Sequence, residues 1–488
     1  MTRNRESLWL GLILAVLAAL PVMVASFPQM GDYSAHLARY HVMLDAGRSP
    51  YLAQYYAFQW KWTGNLGVDL LIQPLAPIFG LETAGRLICL AIPLLTGLGI
   101  LSVEWALRRQ IGVGALLAMA FIWSPALLMG FVNFGLSLAL ALFAFAAWVR
   151  LEAKTWRWAL FLAIGAVVWL CHVSGWGILG IMVLCYEANR QKSWKALLAP
   201  WPLTLPLIPL LLGGGTEGVL GYGPFVWIYK WAIWKRAMRD QVFWLDLATP
   251  ILVAVFFLMA LWFRKIDARL GWAAVALALA TIVVPRRISG GDYADYRLIA
   301  TCLLVACLAI DWRPTRRVLL YAASALFLTR IVFTTAGWYG TSREMEQMLA
   351  ALEHVPKGAR VANAVAIERS GWPNNPFDHL GGYAVVRRDA LTNANFAIPT
   401  IHMLSLKHGD AGFNDPTQRV NYNPGQKIDL AAFGPAKQAD YLWYIGPVTP
   451  AKLPPGAEVI YSTEGSLLAR LPPPVPTPAR VANGHRRG

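Results

Sequence analysis

The stretch FVNFGLSLALALFAFAAWV, residues 131–149, decides the fold class of this chain. It carries no charged side chain, and about 20 consecutive apolar residues are enough to cross the hydrocarbon core of a membrane. Similar runs recur along the chain, so that its 488 residues are 57% hydrophobic and only 14% charged. An ordinary soluble protein has about one quarter charged residues. The composition therefore predicts a multi-pass membrane protein.

Apolar runs of this kind define about eleven predicted transmembrane helices. They cover residues 8–26, 85–106, 112–128, 131–149, 158–171, 174–187, 197–212, 248–263, 270–285, 297–311 and 316–335. A further apolar run at 68–79 contains Pro74 and Pro77, which disrupt a spanning helix, so we expect a re-entrant or interfacial element there. The predicted fold class is an all-α polytopic membrane bundle of about 11 transmembrane helices, followed by a small α/β domain.

The distribution of basic residues predicts the orientation of this bundle. If the N-terminus lies inside, the inner loops contain Arg108, Arg109 and Arg150, whereas the outer loops near 124–133 and 172–175 contain no Lys or Arg. Cytoplasmic loops of membrane proteins carry this excess of positive charge. The net charge of +16 is thereby explained without nucleic acid. The pattern predicts a cytoplasmic N-terminus.

The chain changes character after residue 339. Residues 340–470 are more polar and are predicted to form a small extracytoplasmic α/β domain, distinct from the membrane domain of residues 1–339. The element predictions within it are a helix at 341–354, strands within 355–366 and 439–446, and a hairpin-like pair at 457–471. The tail at 471–488 is rich in proline and is predicted to be disordered.

The segment GDYSAHLAR, residues 31–39, follows the first apolar run and lies on the outer side in this topology. A helix that begins near Asp32 places Asp32, His36 and Arg39 on one face, at positions i, i+4 and i+7. This arrangement is a candidate catalytic site. The structural alternative is that Asp32 is a helix N-cap and that the two cationic residues meet lipid headgroups.

The tripeptide Gly-Asp-Tyr occurs again in the basic outer loop RRISGGDYADYR. Arg286, Arg287 and Arg297 have the forked donors that suit phosphate. Asp292 and Asp295 are placed to orient these arginines or to serve an acceptor. The structural alternative is a self-neutralising loop of salt bridges at the membrane interface.

Two further outer features carry candidate functional residues. His172 lies in a short turn, where an ionisable residue at membrane level indicates either a functional site or a hydrogen-bonded structural histidine. Residues 224–240 place Trp227, Trp231 and Trp234 at helical spacing, which predicts an amphipathic interfacial helix that anchors the chain or guides a lipid substrate.

The layout resembles that of the GT-C glycosyltransferases, polytopic enzymes that use lipid-phosphate-linked sugars. The shared features are an inside N-terminus, a first large outer loop that opens with Asp32, many spans and a soluble outer domain. Within the superfamily the chain most resembles the bacterial integral-membrane proteins grouped with protein mannosyltransferases and lipopolysaccharide sugar transferases. The resemblance covers the whole chain in layout, whereas the motif consists of a few residues around Asp32, with one acid where several branches have a pair.

This resemblance implies a glycosyltransferase of the bacterial inner membrane with its active site on the extracytoplasmic side. Its donor would be a polyprenyl-phosphate-linked sugar, and its acceptor a glycan, a lipid or a protein. Asp32 would act as general base, a role that suits a carboxylate within reach of an acceptor hydroxyl. The implied partners are these substrates and membrane lipids, not nucleic acid. A divalent cation, Mg²⁺ or Mn²⁺, is compatible with the resemblance but is not required by it.

Two other functions are compatible with the same sequence. A transporter or flippase for lipid-linked glycans predicts ionisable residues deep within several helices, and Arg330 is the one residue that suggests it. A non-catalytic membrane scaffold predicts that Asp32 lies far from the arginines of the basic loop. The sequence identifies neither the sugar nor the acceptor.

Overall fold

A computed structural model describes residues 2–208, 220–288, 291–313, 315–369, 374–397, 402–407, 411–414 and 416–473. The chain divides into two compact units. The first contains Met1–Tyr33, Gln59–Glu346 and Asn374–Pro376, and the second contains Ser34–Phe58, Gln347–Pro373 and Phe377–Gly488. The second unit therefore includes residues 34–58, a segment that the sequence analysis assigned to the membrane domain of residues 1–339.

The described chain is mostly helical. In chain order its α-helices are α1 (Thr2–Leu17), α2 (Leu20–Val24), α3 (Tyr33–Asp45), α4 (Pro50–Tyr55), α5 (Gly67–Phe79), α6 (Leu81–Arg108), α7 (Val113–Ala118), α8 (Pro125–Leu128), α9 (Val132–Arg150), α10 (Arg157–Cys171), α11 (Val173–Gln191), α12 (Val226–Lys235), α13 (Phe243–Trp262), α14 (Ala268–Val283), α15 (Tyr296–Ala309), α16 (Arg317–Leu349) and α17 (Gly382–Arg388).

Four helical segments of the described chain are long and apolar enough to cross a membrane: Leu81–Arg108, Val132–Arg150, Phe243–Trp262 and Arg317–His354. This finding is consistent with a membrane protein, but the prediction of about eleven spans is wrong. Several predicted spans form apolar helices of only 10–17 residues. At 1.5 Å per residue such a helix is at most about 26 Å long, whereas the hydrocarbon core is about 30 Å thick.

Proline accounts for two of the shortened spans. The predicted run 8–26 is divided into α1 and α2, and Pro21 occupies the first turn of α2. The predicted run 112–128 is divided into α7, a 3-10 turn and α8, whose first residue is Pro125. Proline lacks a backbone N–H, so it is tolerated in the first turn of a helix and disfavoured within it.

Small residues allow the helices of the first unit to pack closely. A Cβ atom placed on Gly99 of α6 would lie 2.9 Å from Cβ of Leu142 in α9, and one on Gly97 would lie 2.9 Å from Cα of Ala15 in α1. Such close helix contacts are typical of membrane bundles, where small residues let backbones approach. By contrast, only 22% of the most apolar window of α13 is buried, so this helix leaves a large apolar surface uncovered.

The second unit contains a six-stranded sheet and a separate strand pair. Its strands are β1 (Tyr56–Phe58), β2 (Arg360–Glu368), β3 (Leu391–Thr392), β4 (Leu404–Leu406), β5 (Arg419–Tyr422), β6 (Tyr441–Ile445), β7 (Glu458–Thr463) and β8 (Ser466–Arg470). The sheet order is β3-β2-β6-β8-β7, with β5 also paired to β2, and β1 pairs with β4. β2 is parallel to β3, β5 and β6, whereas β8 is antiparallel to β6 and β7.

Apolar residues on the alternating faces of these strands build the core of the second unit. Ala362 and Ala364 of β2 pack with Leu442 of β6, and Val42 of α3 and Leu52 of α4 belong to the same cluster. The strands predicted within 355–366, 439–446 and 457–471 are observed as β2, β6 and the β7–β8 pair. Most of the Pro-rich tail, from residue 474 onward, lies outside the described residues.

We expect Gly114→Ala to destabilise the protein. A Cβ atom at this position of α7 would overlap the backbone carbonyl oxygen of Cys307 in α15, which cannot move without shifting the helix. Overpacking of this kind costs about 1–3 kcal/mol. The measurement is the midpoint of thermal unfolding of the purified protein in detergent.

Gly177→Ala is the matched control, because a Cβ atom at that position of α11 meets no atom within 4 Å. Replacing a helical glycine by alanine in open space stabilises a helix by about 1 kcal/mol. Equal midpoints for the two variants would show that α7 does not pack against α15 as described.

Candidate functional site

A pair of facing turns in the first unit fixes the position of Asp32. The backbone N–H of Gly31 donates to the carbonyl of Leu128 at 3.1 Å, and that of Asp32 donates to the carbonyl of Met129 at 3.0 Å. Gly130 then adopts φ of 90°, a conformation that residues with a side chain rarely adopt. A Cβ atom at Gly130 would lie 2.8 Å from the backbone nitrogen of Asp32. The partly buried Asp32 is thus held by backbone geometry.

Arg297 is the basic residue that the structure brings to Asp32. It lies in the first turn of α15, and its guanidinium carbon stacks 4.2 Å from the ring centroid of Phe131. Among the nearby carboxylates, Asp32 has the strongest electrostatic interaction with the Arg297 charge, followed by Asp292 and Asp295. The Nε atom is buried and has no hydrogen-bond partner within the described part of the chain. Arg297 therefore retains capacity to bind an anion beside Asp32.

His172 lies near enough to Arg297 for the charge of that arginine to affect it. Its ring packs edge-on against Phe134 at 5.8 Å, and its Nδ1 accepts a hydrogen bond from the backbone N–H of Ser174, which caps α11. Burial, together with the positive charge of Arg297, holds the pKa of His172 well below its usual value of 6.5. The imidazole is therefore neutral at physiological pH. It contributes a polar but uncharged ring near the Arg297 guanidinium.

The other two arginines of the basic loop, Arg286 and Arg287, differ in the bonds that they make within the protein. Arg286 makes two parallel bonds to the carboxylate of Asp292, each 2.7 Å long, and its guanidinium lies over the rings of Tyr229 and Tyr293. Burial opposes its charge, but the bonds to Asp292 outweigh that effect and raise the pKa of Arg286. Arg287 is exposed, and its Nε lies 4.0 Å from Asp292. Arg286 and Asp292 thus form the salt bridge that was the structural alternative for this loop.

Asp295 is fully buried and links this loop to α12. Its carboxylate accepts bonds from Lys230 Nζ at 2.6 Å, from the Tyr229 hydroxyl at 3.0 Å and from the backbone N–H of Tyr296 at 2.9 Å. Lys230 also donates to two backbone carbonyls, those of Thr281 and Val284. Burial, followed by the neighbouring carboxylate, raises the pKa of Tyr229. These contacts give Asp295 an anchoring role beside Arg297.

The sequence pattern does not single out Tyr229 and Lys230 as candidate functional residues. Residues 224–240 are predicted to form an interfacial helix in which cations face lipid headgroups. The structure confirms a helix there and leaves Trp227 and Trp231 more than 70% exposed, but it buries Lys230. The available signal was the position of Lys230, which stands in mid-helix between apolar neighbours rather than at an end.

His36 and Arg39 belong to the second unit, whereas Asp32 belongs to the first. The helix predicted to begin near Asp32 is observed as α3. The His36 ring packs 5.0 Å from Phe396, which also contacts His379 and His402. The Arg39 side chain is buried. Within the second unit, His36 is therefore partly exposed and Arg39 is buried.

Within the described residues, no group of three or more His, Cys, Asp or Glu side chains is arranged to hold a metal ion. The nearby carboxylates Asp292 and Asp295 are bonded to Arg286 and Lys230, respectively. The compatible divalent cation of the sequence analysis therefore has no assigned ligands.

Comparison with known proteins adds no assignment. No protein-family description matches the chain, and no curated protein and no solved structure matches it significantly.

We expect Lys230→Met to destabilise the protein strongly. Removing one partner of a buried ion pair leaves the other charge uncompensated, at a cost of about 3–5 kcal/mol. The measurement is the thermal unfolding midpoint in detergent. Lys235→Met, on the exposed C-terminal end of the same helix, is the control and should change stability by no more than about 0.5 kcal/mol. A similar effect of both changes would contradict the buried pair.

His172 should also make stability depend on pH. The unfolded chain binds a proton at His172 as the pH falls through 6.5, whereas the native state resists protonation because its pKa is depressed. Stability from this residue is therefore present above pH 6.5 and falls below it, by about 1.4 kcal/mol per pH unit at most. Unfolding midpoints of the wild type and of His172→Asn, which keeps an N-cap side chain, should diverge between pH 7.5 and 5. Parallel curves would refute a neutral His172.

Proposed function

We propose that this protein is a glycosyltransferase of the GT-C type that moves a sugar from a polyprenyl-phosphate donor to an extracytoplasmic glycan, lipid or protein acceptor. Asp32 is the general base, and Arg297 binds the phosphate of the donor. The proposal places the protein in the bacterial inner membrane with this site on the outer side. The four apolar helices long enough to span a membrane are compatible with that location.

The observation that carries the proposal is the electrostatic interaction of the Arg297 guanidinium with the Asp32 carboxylate, both in the first unit, together with the stacking of that guanidinium on Phe131. Glycosyl transfer from a lipid phosphate needs a base for the acceptor and a cation for the leaving group in one place. Arg297 has a buried Nε without a partner in the described chain, so its donor capacity is not used up by the fold. The scaffold alternative predicts that Asp32 lies far from the arginines of the basic loop, so this interaction disfavours it.

The reaction can be balanced with these two groups. The acceptor hydroxyl gives its proton to the Asp32 carboxylate while its oxygen forms a bond to the anomeric carbon of the sugar. The bond between that carbon and the phosphate oxygen breaks, and both electrons remain on the phosphate. The growing negative charge is stabilised by the guanidinium of Arg297, a strong donor to phosphate oxygens. His172 is neutral, so it adds no positive charge that would repel the Arg297 guanidinium.

The remaining loop residues have supporting roles in this proposal. Arg286 makes two bonds to Asp292, so its guanidinium contributes positive charge near the phosphate but does not bind the phosphate through both of these nitrogens. Arg287 is exposed and is suited to the first encounter with an anionic headgroup. Asp295 holds α12 and the start of α15 together, which keeps Arg297 in place.

The test is sugar transfer by the purified protein in proteoliposomes supplied with a radiolabelled polyprenyl-phosphate hexose and a lipid extract of bacterial envelopes as acceptor. We expect Asp32→Asn to lower the rate by about 10²–10⁴-fold, the usual contribution of a general base. Arg297→Met should lower it by about 10²–10³-fold. Arg297→Lys should retain part of the activity, because the charge remains.

Glu346→Gln is the matched control, since it replaces an exposed carboxylate of the same unit by an amide. It should keep the wild-type rate. All variants must show the wild-type unfolding midpoint within a few degrees, so that loss of rate is not loss of folding. Full transfer by Asp32→Asn would exclude the assigned base.

A flippase for lipid-linked glycans is the second candidate, and one observation favours it. Arg330 lies within α16, is buried, and bonds to Asp246 of α13 at 3.1 Å, to Thr249 at 3.2 Å and to the carbonyl of Met238 at 3.0 Å. Buried charges within spanning helices often mark a transport path. The same proteoliposomes report this activity through translocation of a fluorescent polyprenyl phosphate. Translocation without sugar transfer would favour the flippase.

A further inference from the structure

Asn374 lies against the turn that carries Asp32. It belongs to the first unit together with Asn375 and Pro376. A Cβ atom placed on Gly31 would lie 3.3 Å from Oδ1 of Asn374, 3.4 Å from the carbonyl oxygen of Met129 and 3.6 Å from that of Asn375. The carboxamide therefore approaches the residue that directly precedes Asp32, and a side chain at position 31 would require its neighbours to move by a few tenths of an ångström.

The oxygen of this carboxamide is buried and has no hydrogen-bond partner within the described residues. The other two atoms nearest to that Cβ position are backbone carbonyl oxygens, which are acceptors and cannot donate to it. The carbonyl of Met129 already accepts from the backbone N–H of Asp32. An unsatisfied buried acceptor costs free energy and requires an explanation, and a donor supplied by a bound ligand is one such explanation.

We infer that Asn374 is a binding residue for a hydroxyl group of the acceptor, and that the acceptor presents at least two hydroxyls, as a saccharide does. One hydroxyl donates to Oδ1 of Asn374 and so places a second within reach of Asp32. This inference rests on the proposed function, since it takes Asp32 as the base. It assigns the acceptor to the Gly31 side of the turn, and the donor phosphate to Arg297 on the Phe131 side.

The chemistry of this contact fits a hydroxyl better than a charged group. An amide oxygen accepts one or two hydrogen bonds and carries no net charge. A site built to hydrogen-bond a substrate hydroxyl rejects analogues that lack it strongly, because the site's own polar group is then left unpaired. Asn374 is thus a positioning and specificity residue, whereas Asp32 remains the catalytic one.

The experiment compares Asn374→Leu with the wild type in two assays. In the transfer assay, the variant should raise KM for the acceptor at least about tenfold and leave KM for the polyprenyl-phosphate hexose within about twofold. The unfolding midpoint should stay the same or rise, because replacing an unpartnered buried amide by an apolar side chain of similar size removes a desolvation cost. A purely structural Asn374 would instead lower the midpoint and affect both substrates.

The second assay measures binding without turnover and separates this inference from the proposed function. Saturation-transfer NMR with methyl glycosides of glucose, mannose, galactose and N-acetylglucosamine should show binding to the wild type and to Asp32→Asn, and its loss in Asn374→Leu. Asn423→Leu, which changes an exposed asparagine of the second unit, is the control and should bind as the wild type does.

The outcomes are distinct. Glycoside binding that Asn374→Leu abolishes supports the inference even if no sugar transfer is found, in which case the proposed function alone fails. If transfer is found but Asn374→Leu leaves both the acceptor KM and glycoside binding unchanged, the proposed function stands and this inference is overturned. Absence of glycoside binding to the wild type, together with an unchanged acceptor KM, overturns it as well.

Discussion

Two backbone hydrogen bonds, from Gly31 and Asp32 to the carbonyls of Leu128 and Met129, are the constraint on which the candidate site depends. They join two turns that are about 100 residues apart in the sequence, and they do so without using any side chain of the site. Gly130 makes this approach possible, because a Cβ atom there would collide with the backbone of Asp32. The carboxylate and the neighbouring Phe131 surface are thus set by backbone geometry, which leaves the side chains available for chemistry.

The buried cations of the first unit differ in how far the fold pairs them. Lys230 is paired with Asp295, and Arg330 is paired with Asp246, in each case with further bonds to backbone or hydroxyl groups. Such pairing is expected, because a charge removed from water must recover its hydration energy from partners. Arg297 stacks on Phe131 and interacts with several carboxylates, yet its buried Nε has no partner in the described chain. Arg108 of the same unit also has a buried Nε without a partner in the described chain, but its other two guanidinium nitrogens bond to Glu104, to Asp267 and to the carbonyl of Leu308.

Prediction from the sequence was most successful where a local pattern carries the information. Alternating apolar residues and turn residues located β2, β6 and the β7–β8 pair, since both signals are visible within a short stretch of sequence. The apolar runs identified almost every helix of the first unit, but hydropathy alone overstated the spans. Continuous apolar composition does not reveal that Pro21 and Pro125 divide a run, or that a helix ends after 15 residues.

For the site, the sequence determined which residues have the chemistry: a carboxylate at Asp32, forked cations at Arg286, Arg287 and Arg297, and a histidine at 172. Which of them act together was decided by tertiary structure alone. Arg286 is neutralised by Asp292, and Asp295 is bonded to Lys230, whereas Arg297 interacts electrostatically with Asp32. Asn374 enters the site from a distant segment of the chain. The physical reason is that residue type fixes only the charge and the number of hydrogen-bond donors. Contacts between distant segments decide whether a side chain is buried and whether its donors are already bonded within the protein.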